Sequence, residues 1–328
     1  MNAITNYNRN ILLINLGSPN NITDQAITHY LQAFLSDRHV VDLPAWFWQP
    51  LLNYVIIPKR LPDLRRHYQQ IAINAQSPLL YYSQSLCRKL QLNHPNWHIE
   101  LAMTYGQPDL AAALSKFNNA EEIDILCLYP QYSTTTTLAA INKIKTIIKQ
   151  WQNLPKLQFV EQYADHPDYI KQLAQSVINA LKTTNQADTL LLSYHSIPCK
   201  YISKRHDPYI TQCEQTTRLL RDELVQQGIT LSVEMAYQSK FGKGKWVSPN
   251  TSDRLSQLGK QQQSVMVMCP GFAADCIETL YEIDQLNREI FIQSGGKNFY
   301  YIPALNDSDE HVALISTILN TSNKLKLR

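Results

Sequence analysis

A chain of 328 residues exceeds one typical domain and is long enough to bury substantial cores. Its 44% hydrophobic and 17% charged residues describe a globular protein, and a net charge of +3 without a long Lys/Arg block excludes a nucleic-acid-binding stripe. Nine glycines are few, no GxGxxG occurs, and Gly242-Lys243-Gly244-Lys245 lacks the spacing and hydroxyl of a phosphate loop, which sets aside nicotinamide-dependent and P-loop chemistry.

The chain opens with an apolar run, Asn10 to Leu16, stopped by Gly17-Ser18-Pro19, the pattern of a buried parallel strand and a turn. A helix is expected from Thr23, a suitable N-cap, to Leu35. Between Val40 and Arg60, Trp46, Phe47, Trp48, Leu51, Leu52, Tyr54, Val55, Ile56 and Ile57 crowd among Pro44, Pro50, Pro58 and Pro62, with Lys59, Arg60, Arg65 and Arg66 beside them. Two readings stand: a core helix bounded by prolines, or an apolar lip with cationic flanks suited to a flat hydrophobic carboxylate or a membrane surface. Strands follow at His98–Tyr105, Ile123–Tyr129 and Leu157–Val160, with helices at Asp109–Phe117, from the hydroxyl run Ser133–Thr137 to Trp151, and at Pro167–Leu181.

The alternation then restarts. Strands are expected at Thr189–Tyr194, Leu231–Ala236, Ser264–Cys269 and Asn298–Ile302, and helices at Pro208–Gln227, Ser252–Leu258, Asp275–Glu289 and Asp309–Leu319. Strands alternating with helices of this length mean parallel sheets in an α/β fold. The restart implies two α/β domains, 1–165 and 166–304, with 305–328 a final helix packing back on the first, and a boundary between Gln162 and Asn185. A cleft between two such domains is the default site.

The six cysteines, Cys87, Cys127, Cys199, Cys213, Cys269 and Cys276, form no CxxC pair, and no secretory pattern precedes the first strand. Reduced thiols in a cytoplasmic protein are the expectation, and no apolar segment approaches the ~18 residues that cross a bilayer.

Two stretches carry the chemistry. Thr189-Leu-Leu-Leu-Ser-Tyr-His195-Ser-Ile-Pro198 is an apolar strand that ends in a polar cluster, with His195 one step past the strand and Pro198 blocking continuation of any regular element. In an open parallel sheet, ligands sit beyond the carboxyl ends of the strands, so this histidine points at a site; the bland alternative is a strand-capping imidazole. The second stretch, Ser264 to Glu282, is a strand halted by Pro270-Gly271 and followed by a helix with Asp275, Glu278 and Glu282 spaced i, i+3 and i+7, which places three carboxylates on one helix face. Such a row is either a solvated face or, beside His195, a path for a divalent cation or protons.

Taken together, Ser193-Tyr194-His195-Ser196-Ile197-Pro198, Asp207-Pro208-Tyr209, Gln212-Cys213, Tyr237-Gln238-Ser239-Lys240-Phe241-Gly242, Trp246, Cys269-Pro270-Gly271-Phe272 and Asp275-Cys276-Ile277-Glu278-Thr279-Leu280 resemble the ferrochelatase family. The N-terminal half agrees through Asn15-Leu16-Gly17-Ser18-Pro19, Phe34-Leu35-Ser36-Asp37-Arg38 and Tyr129-Pro130-Gln131-Tyr132-Ser133, so the resemblance runs from about residue 9 to 318. It implies two Rossmann-like domains of the chelatase-like fold, and insertion of Fe2+ into protoporphyrin IX to give protohaem with release of two protons. By the same resemblance His195 and Glu278 are the paired active-site residues for metal and protons, with Asp275 and Glu282 an outer path. Arg60, Tyr68 and Ser77 match the porphyrin lip, and Tyr132, Tyr237, Gln238, Lys240 and Trp246 line the cleft.

The residue types suit that chemistry. A porphyrin holds its nitrogen lone pairs in the ring plane, so a cleft that bends the ring turns them toward the metal, and a histidine is an apt acceptor for the leaving N–H protons. The apolar lip between Leu43 and Ile57 favours protoporphyrin over coproporphyrin and implies transient contact with the inner membrane by a cytoplasmic enzyme. A porphyrin or haem carrier without turnover is the reading from another class. Three departures from the family pattern stand out. Thr104 in Met103-Thr104-Tyr105-Gly106 occupies the place of an expected arginine, Gln76-Ser77-Pro78 lacks the usual glycine before the serine, and no cysteine follows Cys276, so neither a [2Fe–2S] cluster nor another resident cofactor is expected.

Overall fold

The computed structural model describes residues 7–184, 187–240, 242, 244–322 and 324–327; Asn185, at the edge of the expected boundary, and Phe241 and Lys243, within the quoted motifs, lie outside them. The chain forms two compact units, one of Met1–Tyr129, Thr134–Gln162 and Asp307–Arg328, the other of Pro130–Ser133 and Tyr163–Asn306.

In the first unit the apolar run at the start becomes β1 (Arg9–Asn15), where Ile11, Leu12, Leu13 and Ile14 are wholly buried. β2 (Trp97–Met103) and β3 (Glu122–Cys127) pair with β1 in parallel on either side, with Ile11 opposite both Ile99 and Asp124, and β4 (Lys156–Val160) continues outward from β3. A strand buried on both faces has no polar side to show, which is why β1 reads as an unbroken apolar run. In the second unit β5 (Thr189–His195) lies between β6 (Ser232–Gln238) and β7 (Val265–Met268), and β8 (Phe299–Ile302) pairs with β7, all parallel. The first sheet is closed by β9 (Leu325–Leu327), antiparallel to β4 and absent from the sequence expectations.

Both units share one topology. The strand that opens each sheet sits inside it, and the next two strands pair on opposite sides of it. This creates a topological switch point at the carboxyl edge of β1 and of β5, the place where open α/β sheets bind ligands.

Two helical segments differ from expectation. The proline-rich stretch is bounded by Pro44 at its start but not broken by the later prolines: helix Ala45–Leu51 passes through a wide turn, Leu52–Ile56, into helix Ile57–Ile71, with Pro50 and Pro62 inside. The Ile57 N–H donates to the Leu52 carbonyl, an i→i+5 bond, and this π-type turn carries the helix past Pro58, which has no N–H to give. Trp48, Leu52 and Ile57 are buried, with the Trp48 indole N–H donating to the Leu35 carbonyl at 2.7 Å, whereas Trp46 is 81% and Tyr54 82% exposed. One side is therefore core and the other an apolar face in solvent, so the two readings of the sequence each describe half of it. Pro198, expected to end regular structure, instead stands directly before a short helix, Cys199–Arg205. Thr23 caps the first helix as expected, but the hydroxyl run before helix Thr137–Ile148 supplies no side-chain cap from Thr136.

Gly17 is required at the first switch point. It has a φ of +106°, and a Cβ there would stand 1.6 Å from the Tyr105 carbonyl oxygen. Gly17→Ala is expected to lower the urea midpoint by the equivalent of more than about 2 kcal/mol, against roughly 1 kcal/mol for Gly228→Ala. The control shares the positive φ but has no atom within 4 Å of the added Cβ. Equal midpoints for the two variants would assign the effect to φ alone.

Candidate active site

The carboxyl edge of the second sheet gathers the residues singled out by motif. His195 is the last residue of β5 rather than one step beyond it, and it pairs with Gln238 at the end of β6. Its Nδ1–H donates to the Ser196 carbonyl at 2.7 Å. A carbonyl only accepts, so Nδ1 carries the hydrogen, and whenever the ring is neutral its lone pair stands at Nε2.

Gln238 joins this strand end to the acidic helix. It is 1% exposed, its Oε1 accepts from the Ser193 hydroxyl at 2.7 Å, and its Nε2 donates to the Glu278 carbonyl at 2.7 Å. Although expected to line the cleft, its amide is spent inside the protein. Tyr237 is likewise buried, and burial raises its hydroxyl above the usual tyrosine range.

The acidic helix corrects the sequence reading. It is a π-type helix, Ile277–Asn287, continued by helix Arg288–Gln293. Asp275 precedes it and is not one of a row on its face. Buried at 2% exposure, Asp275 accepts from Tyr301 at 2.5 Å, Asn306 at 2.7 Å and Thr279 at 2.9 Å. Thr279 in turn accepts the Cys276 N–H at 2.9 Å, which fixes the first turn. With i→i+5 pairing the i, i+3, i+7 face does not exist, but Glu278 and Glu282 remain near one another.

Glu282 accepts from Ser239 twice, the N–H at 2.7 Å and the hydroxyl at 2.5 Å. Burial raises its carboxyl above the ordinary range; the Ser239 bonds and the nearby His195 oppose this, while the charge of Glu278 adds to it. His195, Glu278 and Glu282 thus share one electrostatic neighbourhood. Among the described residues no group of three or more His, Cys, Asp and Glu side chains is arranged to hold a metal ion.

Lys240 is exposed, Trp246 is half-buried in a bridge with Pro198, and the Tyr132 N–H donates to Gln212 Oε1 at 2.6 Å. The remaining expected residues belong to the first unit. Arg60 is exposed and Tyr68 buried on helix Ile57–Ile71. Ser77 is buried, hydrogen-bonds to Ser18, and caps helix Pro78–Asn93 by accepting from Leu80 N–H at 3.3 Å. Without a glycine, the turn before it places Asn74 and Ala75 at positive φ between the paired Ile73 and Gln76. Thr104, standing where an arginine was expected, is buried and has a cation at hand: Lys143 Nζ donates to its carbonyl at 3.1 Å and lies 3.6 Å above the Tyr105 ring. Asp37 is 3.5 Å from the same Nζ; burial would raise its carboxyl, but bonds from His39 and Tyr105 and the Lys143 charge hold it below the ordinary value.

Sequence reasoning missed Asn287 and Tyr301, neither of which carries a signal beyond its place near a motif, and it quoted Ser239 within a motif without its bond to Glu282. All six cysteines are unpaired thiols, and burial pushes Cys127 up to about 12 and raises Cys269 and Cys276 well above the ordinary range.

Two parallel sheets with the site at a switch point are the architecture of the chelatases. Sirohydrochlorin chelatase SirB from Bacillus subtilis, solved with Fe3+, matches with a TM-score of 0.56 at 10% identity over 95% of this chain and 93% of its own. CbiX, the terminal enzyme of sirohaem synthesis in denitrifying bacteria, matches with a TM-score of 0.54 at 13% identity over 96% and 99%. At such identities the likeness speaks for the fold alone. The sequence is more specific: the ferrochelatase family model matches residues 8–323. Relatives named ferrochelatase from Yersinia enterocolitica and Yersinia pestis are 42% and 41% identical, covering 94% of this chain and 96% and 97% of theirs. The chain belongs to the ferrochelatase family. It is a lyase of haem biosynthesis, with a porphyrin and iron as its substrates.

Glu282 supplies a test of the local electrostatics. A raised carboxyl pKa stabilises the fold while the group is protonated, and that contribution is lost as pH climbs through the raised value. Glu282→Gln, fixed in the neutral form, is expected to gain melting temperature relative to wild type as pH rises above the ordinary carboxylate range. A difference independent of pH would show that burial does not govern this carboxyl.

Proposed function

We propose that the enzyme inserts Fe2+ into protoporphyrin IX, with His195 Nε2 accepting a pyrrole proton and Glu278 completing a two-residue site for the entering metal. The observation that carries this is the tautomer. His195 is held through Nδ1–H, which leaves Nε2 to bear the lone pair of the neutral ring, at the same sheet edge as Glu278, whose backbone carbonyl Gln238 holds. Charge balances: one dication enters the ring as two pyrrole protons leave, so a base is needed and an oxidant is not. Glu282, biased toward its neutral form and neighbouring both residues, suits passage of protons away from the ring. Arg60 and Lys240, exposed cations, suit the propionates; by family pattern Tyr68 and Ser77 of the first unit, and Tyr132, Tyr237 and Trp246 of the second, contribute to porphyrin binding, while Gln238 positions Glu278.

The exposed apolar side of helix Ala45–Leu51 and the turn after it favours protoporphyrin over the more carboxylated coproporphyrin. It also suits transient contact with a membrane surface through residues 43–57. Among the described residues no helix is long and apolar enough to cross a membrane, so the contact would be peripheral, by an enzyme acting in the cytoplasm. No resident cofactor or iron–sulfur cluster enters this scheme, since the chain past Cys276 has no further cysteine.

Anaerobic metallation separates the roles. His195→Ala and Glu278→Ala are each expected to lower kcat by about 10²-fold or more while porphyrin binding, read by fluorescence quenching, is retained. Unchanged turnover in both would favour a porphyrin carrier. Protoporphyrin should be metallated faster than coproporphyrin, and the reverse order would reassign the substrate. Trp46→Ser with Tyr54→Ser is expected to abolish flotation with liposomes, and flotation equal to wild type would remove residues 43–57 from membrane contact.

A further inference from the structure

The outer edge of the first sheet is closed in two places and open between them. β2 is the terminal strand there. The Thr104 N–H, just past β2, donates to the Asn15 carbonyl at 2.8 Å. Even-numbered residues of β2 therefore turn their backbone groups to β1, and odd-numbered ones turn theirs outward. The Gln91 side-chain amide imitates a further strand at one end of this edge. Its Oε1 accepts from the Ile99 N–H at 3.2 Å, and its Nε2 donates to the Trp97 carbonyl at 2.8 Å. At the other end the Met103 N–H donates to the Pro108 carbonyl at 2.7 Å. Leu101 stands midway, and among the described residues nothing meets its outward N–H and C=O.

A cavity of about 340 Å³ lies over this gap. Cys87 and Arg88 of helix Pro78–Asn93 form one wall, Ala112 of helix Leu110–Ser115 and Lys116 the other, and Glu100 and Leu101 the floor. Its charges do not balance. Glu100 is already engaged, accepting from Lys116 Nζ at 2.8 Å and lying 3.3 Å from His98 Nε2. Arg88 is exposed and has no ion-pair partner among the described residues. The Cys87 thiol, pushed up to about 12 by burial, stays protonated and serves as wall rather than nucleophile.

We propose that this gap binds the carboxyl end of an extended peptide, one backbone unit pairing with Leu101 and the terminal carboxylate meeting the Arg88 guanidinium. Backbone, bounds and charge each select that occupant. An N–H and a C=O left open on one residue of a sheet edge complement a single extended peptide unit, the way such edges recruit peptides. Gln91 and Pro108 bound the opening, so a strand passing through meets one or the other, whereas a chain end can stop between them. The same bounds oppose pairing with β2 of a second copy, which needs a longer run of open groups. The surplus Arg88 selects an anionic end over an amino end, and its planar fork matches a carboxylate. All of these residues belong to the first unit, and the site does not rest on the reaction proposed above.

Titration of the 15N-labelled full chain tests it, with acetyl-trialanine, its carboxyl-terminal amide and acetate as probes. The Leu101 amide resonance is expected to shift saturably with acetyl-trialanine, bound about fivefold more tightly than the amide-capped peptide. Acetate should leave that resonance in place. Arg88→Gln should bring the acid down to the affinity of the amide. Ala112→Trp, which fills the cavity, should abolish binding of both peptides. Both variants should metallate porphyrin at the wild-type rate, which reports an intact fold. No saturable shift at Leu101, or equal affinity of wild type for acid and amide, overturns the proposal. An equal shift with acetate overturns it in favour of a small anion. A Leu101 shift that follows protein concentration without any peptide overturns it in favour of a second copy.

Discussion

The His195 edge depends on how the carbonyls of the wide helix Ile277–Asn287 are satisfied. Once a helix leaves i→i+4 pairing, some of its carbonyls lose their regular partners, and a buried carbonyl without a hydrogen bond costs about 1–3 kcal/mol. Two carbonyls here are met by side chains from chosen directions: Gln238 Nε2 donates to that of Glu278 at 2.7 Å, and Asn287 Nδ2 to that of Glu282 at 2.7 Å. Asn287 is itself held by the Ser252 hydroxyl at 2.7 Å, and Gln238 by Ser193. The distortion that would weaken an ordinary helix thus becomes the means of attaching it to β5 and β6. The backbone of Glu278 is tied to the sheet that carries His195, while its side chain stays partly exposed.

A second wide turn, Leu52–Ile56, solves a different problem with the same geometry. Three prolines within 13 residues, Pro50, Pro58 and Pro62, remove three helical donors. The helix nevertheless runs from Ala45 to Ile71, because the turn passes Pro58 and because Trp48, Leu52 and Ile57 are held in a core on one side. Tertiary packing outweighs propensity, as it commonly does for helices in globular proteins. The unburied side then keeps Trp46 and Tyr54 in water, a loss of transfer free energy that packing within this chain does not recover.

Much of this was legible before any coordinates, and the reasons differ by element. β1 and β5 were visible because buried parallel strands have no polar face, so composition alone marks them. Thr23 was visible as a cap because its hydroxyl has one local task. The π-type helix was not, because its acids obey an i, i+3 spacing that suits an α-helix equally well, and only the side chains that reach its carbonyls from distant strands decide between the two. Gln238 and Tyr237 were placed at the site's edge by motif, yet whether a side chain faces ligand or core turns on a single residue of strand register. The short antiparallel β9 has no periodicity long enough to detect. Helix Cys199–Arg205 was hidden by Pro198, whose fixed φ ends one element and begins the next with equal ease.

The acids beside His195 show how structure sorts residues that sequence cannot. Asn306 and Ser239 both sit at positive φ, 52° and 64°. Asparagine tolerates this region, but for serine a left-handed backbone stores about 1–3 kcal/mol unless neighbours over-determine it. Each is latched by one acid. Asp275 binds the Asn306 amide and receives its reciprocal bond, Asp275 N–H to Asn306 Oδ1 at 2.7 Å, and Glu282 takes both donors of Ser239. In a chain with only nine glycines, carboxylates take over the stabilisation of turns that glycine would have made without strain. Two of the three acids are thereby committed to these turns, Asp275 through side-chain donors from Tyr301, Asn306 and Thr279 and Glu282 through the N–H and hydroxyl of Ser239. The Glu278 backbone carbonyl is the one clamped by Gln238, and its side chain lies against the Cys276 thiol. Its main chain is therefore fixed to the sheet that carries His195, whose own ring is held by the Ser196 carbonyl. The division of labour follows from which side chains the turns have already consumed.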